Sequence, residues 1–238
     1  MHLPCDAPRA FLCRPMKRSS WLQAHGLSLT LAVLFLVTMA GQTLTGYRVF
    51  NDDAREHGER PVSLVNYLTS GHFYEATAEN WESEFLQMAF YVLLTVFLYQ
   101  RGSSESKKIG ETEAVDRDPR LACDKPNAPW PVRRGGWLLK LYENSLSLAF
   151  LLLFLASFAM HAVGGAAAYN QEATAHGEAP LTTLEFLASA QFWFESFQNW
   201  QSEFLSLVTM VILSVYLRQR GSPESKPVDA AHDETGSD

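Results

Sequence analysis

Apolar and polar positions follow one another along this chain in long blocks, not in short periods. Four apolar stretches, at about 22–45, 83–100, 146–165 and 202–219, are separated by polar loops and flanked by polar tails. The second and fourth are near 18 residues long, which at 1.5 Å rise per residue reaches roughly 27 Å and just crosses a bilayer as a helix. The blocks also repeat. Residues 26–107 return without a gap as 145–226, and about 34 of the 82 aligned positions are identical, a self-similarity that sets the architecture before any motif is read. The pattern predicts an all-α membrane protein with four transmembrane helices, arranged as two parallel two-span repeats.

The first apolar stretch follows Lys17 and Arg18 and ends in small residues, as a signal peptide does. Its counterpart lies mid-chain, where no signal peptide stands, so both copies read as retained helices. Orientation follows from the cations. Sixteen Lys and Arg fall up to Arg18, between Arg101 and Lys140, and from Arg218 on; Arg48, Arg55 and Arg60 in the first interspan loop are the other three. That bias predicts cytoplasmic termini, a cytoplasmic linker and two outward-facing loops in a plasma (inner) membrane. Two spans per copy insert both copies in the same sense.

The domain reading is a flexible N-terminal tail at 1–19, a first two-span repeat at 20–101, a flexible cytoplasmic linker at 102–136, a second repeat at 137–220 and a disordered C-terminal tail at 221–238. The polar, proline-bearing composition of the linker supports its flexibility. Met16, directly before Lys17 and Arg18, offers an alternative start that would make the upstream residues an extension. Cys5, Cys13 and Cys123 lie outside the repeat without CxxC spacing and read as ordinary thiols.

Each outer loop is predicted to carry short amphipathic helices, at 62–68 and 71–79 and again at 181–187 and 190–198. Aromatic residues such as Tyr74, Phe192 and Trp193 would seat them in the headgroup layer. The loops open with Asn51 and Asn170 and contain a polar cluster, His57 and Glu59 in one copy, His176 and Glu178 in the other. His and Glu are of metal-ligand type. Two per loop fall short of a closed site, and His-Gly-Glu-x-Pro makes a turn more simply, so no metal ligand set is assigned.

The clearest repeated signature is Asn80, Trp81, Ser83, Glu84, matched by Asn199, Trp200, Ser202, Glu203. It reads as a helix entering a membrane: Asn80 capping the first turn, Trp81 anchoring at the interface and Glu84 near the positive end of the dipole. The competing reading makes Glu84 and Glu203 an ion or proton site, two acids meeting across the pseudo-twofold. His161, aligned with Gln42, reads as a histidine bonded to a neighbouring helix. No nucleophile with an adjacent base, no phosphate-binding glycine loop and no zinc-protease motif occurs.

The Asn-Trp-x-Ser-Glu-Phe motif after an aromatic outer segment, the doubled two-span unit and the Arg-Gly-Ser exit resemble an uncharacterised family of bacterial integral-membrane proteins, a domain of unknown function. The resemblance implies a helical membrane fold and transfers no activity or cofactor. The expected function is therefore non-enzymatic, acting through helix packing and contact with lipid or protein, including a second copy of the chain. The alternatives are ion or solute permeation past the acid pair, and an enzyme acting on envelope substrates. The net charge of −7 and the lack of a basic patch interleaved with aromatics argue against nucleic acid as a partner.

Overall fold

The computed structural model describes residues 20–236, so the tail at 1–19 and the alternative start at Met16 lie outside the described residues. Among the described residues every regular element is a helix. Helix α1 spans Trp21–Glu56, α2 Leu64–Leu68 and α3 Gly71–Phe97; two 3-10 turns, Ala114–Asp116 and Pro119–Ala122, follow. Then come α4 (Trp130–Arg134), α5 (Gly136–Glu143), α6 (Ser145–Ala175), α7 (Thr183–Leu187) and α8 (Ala190–Tyr216). Each copy of the repeated sequence thus folds as a long helix, a five-residue helix and a 27-residue helix. The chain divides into two units, one ending at Pro61 and one beginning at Val62.

The first unit is α1 and its exit turn. Ser20 Oγ accepts from Gln23 N, and Gln23 Oε1 accepts from Ser20 N, a reciprocal cap on two of the free amides of the first turn. Thr30, Thr38 and Thr45 donate to the carbonyls of Gly26, Leu34 and Gly41 at 2.8–2.9 Å. The hydroxyls of this apolar stretch are therefore satisfied within the helix. Both α1 and α6 are long and apolar enough to cross a membrane. Large apolar side chains lie exposed along them, Leu27 at 75% and Leu152 at 67%, the kind of apolar face that marks contact with lipid or with another protein.

The second unit is built on α3, α6 and α8. Gly71 of α3 meets Gly164 and Ala168 of α6, and Glu82 meets His161. Numbers rise along α3 as they fall along α6, so these two helices are antiparallel. They touch backbone to backbone: a Cβ on Gly164 would stand 2.8 Å from Glu75 N and 2.9 Å from Tyr74 Cβ. Small residues at a crossing are what such approach requires. Gln87 fastens α3 to α8, its amide donating to Glu203 O at 2.6 Å and Ser206 Oγ at 2.7 Å. A small apolar core of Ala162, Ala166, Phe186 and Phe192 closes the end of the unit beneath α7. There Asn170 grips Leu181 with both amide atoms, donating to its carbonyl at 2.8 Å and accepting from its N–H at 2.7 Å.

Two sequence expectations differ from this structure. The segments at 71–79 and 190–198 are not separate surface helices but the first turns of α3 and α8; only α2 and α7 stand apart. No Gly or Pro interrupts 72–97 or 190–216, so the helix continues through. In consequence Asn80 is no cap. Ser70 and Ser189 cap these helices by accepting from Phe73 N and Phe192 N, while Asn80 Nδ2 donates to Ala76 O inside the helix. Glu84 then lies three turns from the helix start, beyond the reach of the dipole.

Both repeat exits, at the borders of the linker and of the C-terminal tail, carry a matched local structure. Each Gln-Arg-Gly-Ser-x-Glu-Ser-Lys copy folds into the same turn. Ser106 and Ser225 accept from Gln100 N and Gln219 N at 3.0 and 2.9 Å, and Gly102 and Gly221 both take positive φ, 85° and 86°. Lys226 is 1% exposed, which is tolerable because its ammonium donates to the carbonyls of Ala231, His232 and Glu234. Thr235 accepts from Gly102 N, and Gly236 donates to Ser103 O. The C-terminal segment is thereby joined to the start of the linker.

Candidate functional site: a buried acid–histidine cluster

His161 stands on the face of α6 that carries Ser157, Gly164 and Gly165, all buried. The ring is wholly buried and both of its nitrogens meet carboxylates. Nδ1 lies 2.9 Å from Glu82 Oε2 on α3, and Nε2 lies 3.3 Å from Glu195 Oε2 on α8. Glu82 is itself fully buried, and its other oxygen accepts from the indole of Trp200 at 2.9 Å. Phe192 stacks on the imidazole with ring centroids 4.6 Å apart. Glu195 is the open edge of the group, 18% exposed, and accepts from Gln191.

Two further acids of α3 approach. Donor atoms of Glu79, His161 and Glu195 lie within 4.8 Å of one another. Glu75, one turn earlier, sets its Oε1 3.0 Å from where a Cβ on Gly165 would stand. The missing side chains of α6 are thus what admits the acids of α3. Helices α3, α6 and α8 contain no Lys or Arg, so within the cluster four carboxylates, those of Glu75, Glu79, Glu82 and Glu195, share the imidazole of His161. Carboxylates only accept hydrogen bonds. Both ring contacts are favourable when the imidazole carries two protons, when a cation stands at Nε2, or when Glu195 is protonated and donates to Nε2. Buried ionised carboxylates cost several kcal/mol apiece unless such a partner is present.

The residues predicted from sequence fall elsewhere. Glu84 is exposed and Glu203 partly buried. The two carboxyls are neighbours outside the His161 cluster, and among the described residues the fully buried acid is Glu82 instead. In the outer loops, His57 Nδ1 donates to Asp53 O at 3.0 Å and His176 Nδ1 donates to Glu172 O at 2.9 Å. Each ring closes the end of its own helix. That bond, with the Asp53 carboxylate beside it, raises the basicity of His57. Trp200 is the one member of the entry motif that reaches the cluster. Asn80, Trp81, Ser83, Asn199 and Ser202 are mid-helix positions, and the hydroxyls of Ser83 and Ser202 fold back onto the carbonyls of Asn80 and Asn199.

Sequence reasoning missed the cluster because it followed what the repeats share. Every ionisable member sits where the copies differ. His161 aligns with Gln42, Glu75 with Phe194, Glu79 with Gln198, Glu82 with Gln201 and Glu195 with Ala76. Acids and a histidine gained in one copy only, at helical spacing on the buried face, were the available signal.

A family model described as Domain of unknown function (DUF6766) matches residues 18–237. Comparison with curated proteins and with solved structures gives no match.

Proposed function

We propose that this chain, which belongs to the DUF6766 family, is a four-span protein of the bacterial plasma membrane whose working part is a cation site. Its two-span repeats lie parallel, with termini and linker in the cytoplasm and both outer loops in the periplasm. The distribution of Lys and Arg supports that orientation, and the exposed apolar faces of α1 and α6 support a lipid surround. The protein catalyses no reaction. A cation held among Glu75, Glu79, Glu82, Glu195 and His161 sets how α3, α6 and α8 pack. The packed surface is what lipid, another membrane protein or a second copy contacts.

One observation carries this reading: a fully buried histidine facing carboxylates from two other helices, none of which contains a Lys or Arg. Intramembrane ionisable groups are expensive to keep and mark functional positions. Full-chain protein in lipid nanodiscs is expected to melt several degrees higher as cation supply rises, by acidification or by added divalent ions. The double variant Glu79→Gln/Glu195→Gln is expected to flatten that response. A wild type whose melting temperature ignores both treatments, or a double variant that keeps the whole response, contradicts the proposal.

A further inference from the structure

We infer that Glu79, His161 and Glu195 form a binding site for a divalent first-row transition ion, oriented by Glu82. The inference rests on the cation reading above and narrows it to one class of ion. One ligand comes from each of α3, α6 and α8, and their donor atoms already lie within 4.8 Å of one another. Donors on a common ion at about 2.0–2.2 Å stand closer than that. Torsion of the two partly exposed glutamates closes the difference. Metal sites in helical bundles are assembled in this manner, from inward side chains of facing helices.

The surroundings of the imidazole fit a ligand better than a simple ion-pair partner. Glu82 accepts from Nδ1, and Trp200 donates to the far oxygen of Glu82. A carboxylate behind a histidine fixes the ring tautomer and turns the other nitrogen outward as a ligand. Here the other nitrogen, Nε2, points at Glu195. A second observation comes from Ser196. Its hydroxyl is buried without a hydrogen-bond partner, and the residue is 1% exposed. It lies one turn from Phe192 and one turn from Trp200, which touch His161 and Glu82. Ser196 thus shares the face of α8 that carries Phe192 and Trp200, and its unpartnered oxygen is open to a metal-bound water there.

The donor set selects the ion. Calcium takes six to eight oxygens, and magnesium keeps most of its water. One imidazole with two carboxylates suits zinc, manganese, iron or cobalt. A dication also offsets the surplus acid of Glu75 and Glu82 better than a single proton does.

The test uses the full chain purified in detergent, with Co²⁺ as optical probe and Zn²⁺ as competitor. Wild type is expected to bind one Co²⁺ with visible absorption bands, displaced by Zn²⁺ and not by Mg²⁺. Glu195→Gln and Glu79→Gln are expected to weaken binding at least about 100-fold. Both sit at the partly exposed edge, so the result does not depend on His161→Gln folding. Glu82→Gln is expected to weaken binding about 10- to 100-fold while retaining a shifted spectrum, as a positioning residue does. Glu178→Gln, in the outer loop, is expected to leave binding unchanged. Absence of a Co²⁺ spectrum in wild type, or an unaltered one in Glu195→Gln and Glu79→Gln, overturns the metal site. If melting still responds to acidification through the cluster, the cation reading stands with a proton as its ion. If it responds to neither, both readings fall.

Discussion

Gly164→Ala is expected to destabilise the folded chain by about 1–3 kcal/mol, the range for overpacking a tight contact. The new Cβ would meet Glu75 N at 2.8 Å, Tyr74 Cβ at 2.9 Å and Tyr74 C at 3.1 Å. None of these is the far end of a flexible side chain, so the strain is relieved only by moving α3 and α6 apart. That separation also pulls Glu82 from His161, and so couples packing to the cluster. Gly41→Ala supplies the contrast of opposite sign. Nothing lies within 4 Å of a Cβ at Gly41, and alanine in a helix interior is favoured over glycine by about 0.5–1 kcal/mol. Thermal unfolding of both variants in one detergent checks the pair. Equal melting temperatures for Gly164→Ala and wild type would show that the helices do not meet at this crossing.

The second large effect belongs to His161. His161→Gln is expected to cost about 3–5 kcal/mol, because it leaves Glu82 as a fully buried carboxylate without its cationic partner. Glu82→Gln in the same chain is expected to restore at least half of that loss. The double variant installs at each position the residue that the opposite copy of the repeat carries, Gln42 being the counterpart of His161 and Gln201 that of Glu82. A double-mutant cycle read by chemical or thermal unfolding isolates the coupling. Additive losses would mean that the ring and Glu82 contribute separately and that no charge is balanced between them.

How much of this was legible beforehand depends on the scale of the feature. The duplication and the long helices α1 and α6 follow from runs of apolar residues, which need only local counting. The matched turns at Gly102 and Gly221 have their chemistry contained within eight consecutive residues, but the polar composition on either side pointed to flexible segments and not to a shared turn. Helix starts were misplaced because Asn80 and Ser70 are both good capping types. What decides between them is whether the chain breaks at 79, and nothing there breaks it. The burial of Lys226 was not readable, because it depends on carbonyls that only the fold supplies. The cluster was least legible. Its members lie on three helices, only Glu75, Glu79 and Glu82 share a helical spacing, and the repeat drew attention to Glu84 and Glu203, which both copies retain. His161 was noticed as a bonded histidine, but its partners are fixed by the crossing at Gly164.

The proposed cation site is tested most directly at the nitrogens of His161. In full-chain protein labelled with nitrogen-15 histidine and held in lipid nanodiscs, the signals of His161 are assigned by their loss in His161→Gln. Both ring nitrogens are expected to be occupied, Nδ1 by a proton shared with Glu82 and Nε2 by a proton or a metal ion facing Glu195. A neutral ring with one bare nitrogen would contradict the site, because no cation would then stand among these carboxylates.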